Sequence, residues 1–199
     1  MTRVIRASFA GSSGVGKSTL ATWLAEELGL AFNPVGSRSI AAEMGLESPY
    51  DADRLGVRGV FQETLQARKI AWELEHESFV TDRTTLDELV YSELHGCATP
   101  AYEQIALGHM ARYTHVFYCP FDVFCDLGDD PKRNPDMGYQ KEFDRRLSAV
   151  LRATAALGQS VFCNDMVLTS ADLESRKNQI RAVLGLPLVV RHINDERES

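Results

Sequence analysis

Residues 11–18 read G-S-S-G-V-G-K-S, and Thr19 follows. Gly11, Gly14 and Gly16 let the backbone curl tightly without a Cβ in the way. The spacing is that of a loop whose amide N–H groups converge on an anion at the positive end of a following helix. In such a loop Gly11, Ser12, Ser13, Gly14, Val15, Gly16, Lys17, Ser18 and Thr19 surround the phosphates of a nucleotide. Lys17 reaches the β- and γ-phosphates, and the Ser18 hydroxyl holds Mg²⁺. ATP with Mg²⁺ is the expected ligand, and phosphoryl chemistry the expected business of the chain.

A second pair, Asp82-Arg83, closes the short apolar run Ser78–Thr81. The end of a strand is the ligand-facing edge of an open α/β sheet. A carboxylate there can join Ser18 in holding the metal, or take a proton from an attacking hydroxyl. Arg83 can clamp a phosphate or stabilise the transferring group. The plainer alternative makes Asp82 a helix cap and Arg83 a surface residue.

Further candidates are weaker. Arg38, near the end of a second strand, is an acceptor-site residue or a surface arginine. Gln62 and Arg68 lie on a long helix and face the cleft or, more simply, solvent. Lys132, Arg133, Arg145 and Arg146 form the densest cationic group, and of the adjacent last two at most one can point straight into a site. Asp122, Asp126, Asp129 and Asp130 lack calcium-loop spacing and read as a solvated acidic loop.

The elements that must position these groups alternate. Val4–Ala10 predicts a strand buried on both faces, and Ser18–Leu28 a helix stopped by Gly29. Ala31–Val35 is a weak strand interrupted by Pro34, Ser39–Met44 a short helix, and Pro49–Arg54 a turn. Apolar spacing predicts a long helix from Val57 to about His76. Thr84 and Thr85, with Asp87 and Glu88 three residues on, offer a capping box for a helix to His95. Pro100 opens another, to about Arg112. Thr114–Cys119 and Val161–Asn164 read as strands. Helices from Gln140 to Leu157 and, capped by Thr169 and Asp172, to Leu184 complete the set.

This order implies a parallel sheet covered on both faces. The fold class is α/β, a three-layer P-loop sandwich with about five parallel strands. One domain, 1–187, carries a lid at about 121–146 and precedes a frayed tail, 188–199.

Net charge of −7 over 199 residues argues against a broad grip on nucleic acid, although a local basic groove remains open. No apolar run is long enough to span a bilayer. Four cysteines without C-x-x-C pairing, and no secretory leader, suit a reducing, cytoplasmic setting and argue against zinc.

The loop, F-Q-E-T-L-Q-A-R-K and then V-T-D-R-T-T-L-D-E-L-V-Y resemble small P-loop kinases. The likeness is to NadR-type nicotinamide-riboside kinase domains and the related NadR/Ttd14-like ATPases often carried by phages. Their D-R-[ST]-x-x-D-x-x-x-Y run is met here by Asp82, Arg83, Thr84, Asp87 and Tyr91. Deoxynucleoside and thymidylate kinases have a similar acidic-Arg pair. The segment F-D-V-F-C-D-L-G-D-D-P-K-R resembles the riboside kinases' lid, with Arg133 its phosphate contact. On this reading no adenylyltransferase domain is expected ahead of the loop, a departure from those kinases. It also reads V-G-S-R-S where an acidic-Ala-Arg run is expected.

The resemblance implies a kinase. Lys17, Asp82, Arg83 and Arg133 would be catalytic, Ser18 and Asp82 would hold the metal, and Arg38, Asp82, Arg83 and Asp87 would meet the acceptor. That acceptor is a small nucleoside or nucleotide-like compound, or alternatively a hydroxymethylated pyrimidine (5-hydroxymethyluracil) in phage DNA. A nucleotide-dependent switch without a phosphorylated product is the third reading, although no N-K-x-D-like guanine-reading run is present. A bacterial or phage-infected cell is the expected setting.

Overall fold

The computed structural model describes residues 3–128 and 136–189. Four strands, β1 (Arg6–Ala10), β2 (Ala31–Phe32), β3 (Phe79–Asp82) and β4 (His115–Tyr118), form one parallel sheet in the order β2-β3-β1-β4. Ser8 and Phe9, neighbours on β1 whose side chains take opposite faces, are both fully buried, so both faces are covered. Phe9 packs on Phe117 with ring centroids 5.3 Å apart. The register sets Phe9 beside Asp82, so the chain enters its glycine loop alongside the end of β3.

Eight α-helices surround the sheet among the described residues: α1 (Lys17–Leu28), α2 (Ser37–Glu43), α3 (Asp51–Arg54), α4 (Arg58–Glu75), α5 (Thr85–Leu94), α6 (Pro100–His109), α7 (Met137–Ala156) and α8 (Leu173–Leu184). Leu20, Ala21, Leu24 and Ala25 of α1 turn to the sheet, and Gly29 ends the helix in the left-handed conformation predicted for it. Thr84 caps α5 as expected, accepting from the Leu86 and Asp87 amides while Asp87 reaches back to the Thr84 amide. A separate small core of Ile40, Ala41, Ala52, Phe61 and Leu65 joins α2, α3 and the start of α4 into a lobe beside the sheet edge.

Several expectations need correction. Pro49–Arg54, read as a turn, contains the helical turn α3. Pro34 has no N–H to give, so β2 stops at Phe32, with Asn33 N making one more bond to Val80 O at 2.9 Å. The fifth strand expected at Val161–Asn164 does not form. The Val116 amide is met by the Met166 thioether at 3.3 Å, and only Val167 bridges to Tyr118. A 3₁₀ turn, Asn164–Met166, takes its place. Asp172 caps α8 by accepting from Ser175 N, without Thr169. No helix among the described residues is long and apolar enough to cross a membrane.

A buried charge cluster fixes the end of β3. Lys69 of α4 donates to Thr81 Oγ1 at 2.6 Å and to the Asp82 carbonyl at 3.1 Å, with Glu73 at 3.6 Å. Glu73 also meets His109 Nε2 at 2.7 Å and accepts from Asn33 Nδ2 at 3.2 Å. Charges removed from water this far persist only when paired and hydrogen-bonded.

Candidate active site

The glycine loop leaves β1 and ends on α1, the arrangement its spacing requires. Gly11 has φ 145°, and a Cβ there would lie 2.6 Å from the Cys119 carbonyl. Gly16 has φ 82°, and a Cβ would meet the Arg176 guanidinium at 3.0 Å. Both positions need glycine on two counts. Arg176 of α8 also donates to Val15 O at 2.9 Å, so it props the loop from behind. Gln140 of α7 accepts from Ser13 N at 3.1 Å. Sequence reasoning found neither support, because each comes from a helix far along the chain.

Lys17 is buried and donates to the Ser12 carbonyl. Burial, with Arg83 close by, brings its ammonium down to about 8 against the pull of Asp82 and Asp87. A phosphate would supply the negative partner it is short of. Ser18 Oγ donates to Asp82 Oδ2 at 2.5 Å. Asp82 Oδ1 is buried with no hydrogen-bond partner among the described residues. A hydroxyl and a carboxylate meeting at the loop, with one carboxylate oxygen unspent, form a hard oxygen donor set that fits Mg²⁺.

Arg83 is the sole non-glycine residue with positive φ among the described residues, at 77°. Such a conformation costs on the order of 1–3 kcal/mol and persists where neighbours impose it. Here the Arg83 amide is held by Phe9 O at 2.8 Å, and its guanidinium donates to Gly11 O at 3.3 Å. Asp87 lies 3.6 Å from that guanidinium, which sits 4.8 Å over the Tyr91 ring. The spacing of Asp82, Arg83, Thr84, Asp87 and Tyr91 therefore has a local cause. The first two turns of α5 carry the cap, the counter-charge and the aromatic face that aim the arginine at the loop.

Asp87 itself is not free to touch an acceptor. It is fully buried, and its oxygens accept from Gly11 N at 3.0 Å, Thr84 N at 2.9 Å and Thr84 Oγ1 at 2.7 Å. Expected among the acceptor contacts, it ties the loop to α5 instead.

Two cavities open here. A groove of about 490 Å³ runs along Gly14, Lys17, Ser18 and Asp82 to α2, where Arg38 lines its wall. Arg38 thus joins the loop side, away from the second cavity. That cavity, about 280 Å³, lies between the small lobe and α5, walled by Tyr50, Phe61, Tyr91 and Tyr139. Ser13, Ser37, Arg83 and Glu88 line both.

Gln62 reaches the second cavity nearly buried, its Oε1 without a hydrogen-bond partner among the described residues. At the cavity's other end Arg58 pairs with Asp53, and His95 meets Asp53 at 3.2 Å. Burial, then Arg58, lowers the His95 pKa and favours the neutral ring. The sequence left Gln62 between cleft and solvent and pointed to Glu88 only as cap chemistry. An acidic residue in the apolar run L-D-E-L-V, where Asp87 already makes the cap, was the signal available for Glu88.

The remaining candidates lie elsewhere. Arg68 pairs with Glu43 at 2.6 Å on the outer side of α4. Arg145 and Arg146 are drawn onto Glu142 at 2.8 and 2.7 Å. Arg133, with Lys132, Asp129 and Asp130, lies outside the described residues. No cluster of three or more His, Cys, Asp or Glu that could hold a metal ion occurs among the described residues.

A family model described as AAA domain matches residues 6–164. No curated protein matches the sequence. Among solved structures, NadR protein in complex with NAD and AMP-PNP aligns with a TM-score of 0.60 at 15% identity, over 94% of this chain and 51% of that one. NadR in complex with NR gives a TM-score of 0.63, also at 15% identity, over 94% and 53%. The chain therefore spans about half the length of the NadR chains it resembles. Shikimate kinase from Acinetobacter baumannii in complex with shikimate gives 0.56 at 17% identity, over 92% and 94%. At these identities the likeness is one of fold, a parallel sheet flanked by helices.

Proposed function

The chain belongs to the AAA domain family, and from that premise we propose that it moves the γ-phosphoryl group of ATP to a hydroxyl of a small nucleoside-type acceptor. The observation that carries this reading is the meeting of the two cavities at Arg83, one bounded by the phosphate loop and the other by aromatic rings. A hydrolytic switch has no use for the second cavity. The NadR and shikimate kinase structures, which hold AMP-PNP, NR or shikimate, support a donor nucleotide beside a small acceptor.

The residues divide the work. Loop amides and Lys17 grip the donor phosphates, and Lys17 regains a full charge on meeting them. Ser18 and Asp82 would hold Mg²⁺, which when bound would supply positive charge against that of the donor phosphates. Arg83 faces the transferring group from the seam, where it offsets charge spreading over the equatorial oxygens. Asp82 lines the groove but not the acceptor cavity, so its part lies on the metal side. Arg133 keeps its proposed place as the phosphate contact of the lid.

On the acceptor side, Tyr50, Phe61, Tyr91 and Tyr139 offer flat walls to a planar ring. The unpaired Gln62 oxygen is ready to accept from a ring N–H. Arg145 and Arg146 pair with Glu142, and Arg146 also lies 4.0 Å from Glu93, so they are engaged with carboxylates rather than lining an open groove for duplex DNA.

Acceptor-dependent ADP release tests the reading. A panel of ribo- and deoxyribonucleosides should include one that raises turnover at least about tenfold over the acceptor-free rate. Turnover indifferent to every nucleoside would return the chain to the switch class.

A further inference from the structure

Phosphoryl transfer to a hydroxyl needs a destination for the acceptor proton. Asp87 is consumed by Gly11 and Thr84, and Asp82 is turned to Ser18 in the donor groove. One other carboxylate lies at the seam. Glu88, in the first turn of α5, is 4% exposed and lines both cavities together with Ser13, Ser37 and Arg83. Of those four residues it alone carries a carboxylate.

A buried acid among apolar neighbours is costly unless it has a task or a partner. Arg83 and Lys69 draw its charge out, while Asp87 and Asp82 repel it, and Tyr102 of α6 packs nearby. Burial outweighs the two cations and pushes the carboxyl up to about 7. No such pressure is needed for capping, which Thr84 and Asp87 already perform.

We propose that Glu88 is the general base of the transfer, an assignment that rests on the kinase reading. The acceptor hydroxyl, seated in the aromatic cavity, points at Glu88 across the seam. As its oxygen bonds to the γ-phosphorus, its proton passes to the Glu88 carboxylate. The bond from the γ-phosphorus to the β–γ bridging oxygen breaks, and its electron pair leaves with ADP. The proton then passes to water as the products depart, so the sum is phosphorylated acceptor, ADP and one proton. Arg83 serves the phosphoryl oxygens, and its charge favours the ionised form of Glu88. A base whose affinity for protons lies near the working pH combines availability with driving force.

The test compares wild type with Glu88→Gln, using the nucleoside panel and a fluorescent ATP analogue with Mg²⁺. Glu88→Gln should bind the analogue as wild type does and keep its acceptor KM within about threefold. Its kcat should fall on the order of 10²–10⁴-fold. Wild-type kcat/KM should rise with pH to a plateau through an ionisation near 7, and the variant should lack that limb. A kcat within about tenfold of wild type, or a loss confined to KM, overturns the base assignment. A wild-type profile without any ionisation between about pH 6 and 8 overturns it independently of how the variant folds. Absence of transfer by the wild type to every nucleoside removes the kinase reading, and the base with it.

Discussion

Ser18 Oγ and Asp82 Oδ2 lie 2.5 Å apart although 64 residues separate them in sequence. Parallel pairing of β1 with β3 causes the meeting, since it sets Phe9 opposite Asp82 and brings the loop past the end of β3. The same pairing places Arg83 against Gly11. The pair proposed to hold the metal and the arginine proposed to face the anion thus follow from one register.

Asp82→Asn removes the charge from that pair and keeps its shape. The variant should bind an ATP analogue in the absence of Mg²⁺ as wild type does, yet lose phosphoryl transfer on the order of 10²-fold or more. Titrating Mg²⁺ while following product checks this. A loss smaller than about tenfold, with an unchanged Mg²⁺ requirement, contradicts the metal role.

Lys69→Met should be destabilising by about 3–5 kcal/mol, because it strands the buried Glu73 and frees Thr81 and the Asp82 carbonyl. Urea unfolding measures the change. A cost below about 1 kcal/mol would mean that the Asn33 and His109 contacts suffice for Glu73.

Gln62→Leu replaces an unpaired buried amide with an apolar side chain of similar size. Stability should rise by roughly 1–2 kcal/mol, while acceptor KM climbs about tenfold and ATP affinity stays put. Thermal unfolding and steady-state kinetics together decide it. Improved stability with an unaltered acceptor KM would leave Gln62 without a recognition role.

Glu88 makes stability depend on pH. Its folded pKa is raised from the ordinary 4.5 to about 7, so the folded chain binds the extra proton between those values. That contribution is fully present below about pH 4 and disappears as pH climbs through about 7. Relative to Glu88→Gln, wild type should lose roughly 3 kcal/mol of stability between pH 4 and 8. Parallel pH dependence in the two proteins would show that the carboxyl is not desolvated.

What the sequence made legible follows a physical division. The glycine loop, its lysine and serine, and the Asp82-Arg83 pair announce themselves because the required backbone and charges lie within a few residues of one another. The Thr84 capping box is local for the same reason. Glu88 stayed hidden, and Gln62 undecided between cleft and solvent, because their burial depends on which helix packs opposite. The cavity wall at Tyr50 depends on α3, whose four residues carry too little periodicity to read as helix. Val161–Asn164 has strand composition, but the chain meets β4 further on, where the Met166 thioether takes the Val116 amide and Val167 bridges to Tyr118. Composition cannot foresee that competition. Asp87 illustrates the reverse case, a residue singled out for the acceptor whose partners are the loop and its own cap.

Tracing the labelled γ-phosphoryl of ATP bears most directly on the two-cavity account. The chain is incubated with that ATP, Mg²⁺ and pooled nucleosides, and products are separated by mass spectrometry. Label is predicted in an acid-stable nucleoside monophosphate, and it should vanish with Lys17→Ala while that variant stays folded. Label recovered only as inorganic phosphate, at the same rate with and without nucleosides, would contradict the account.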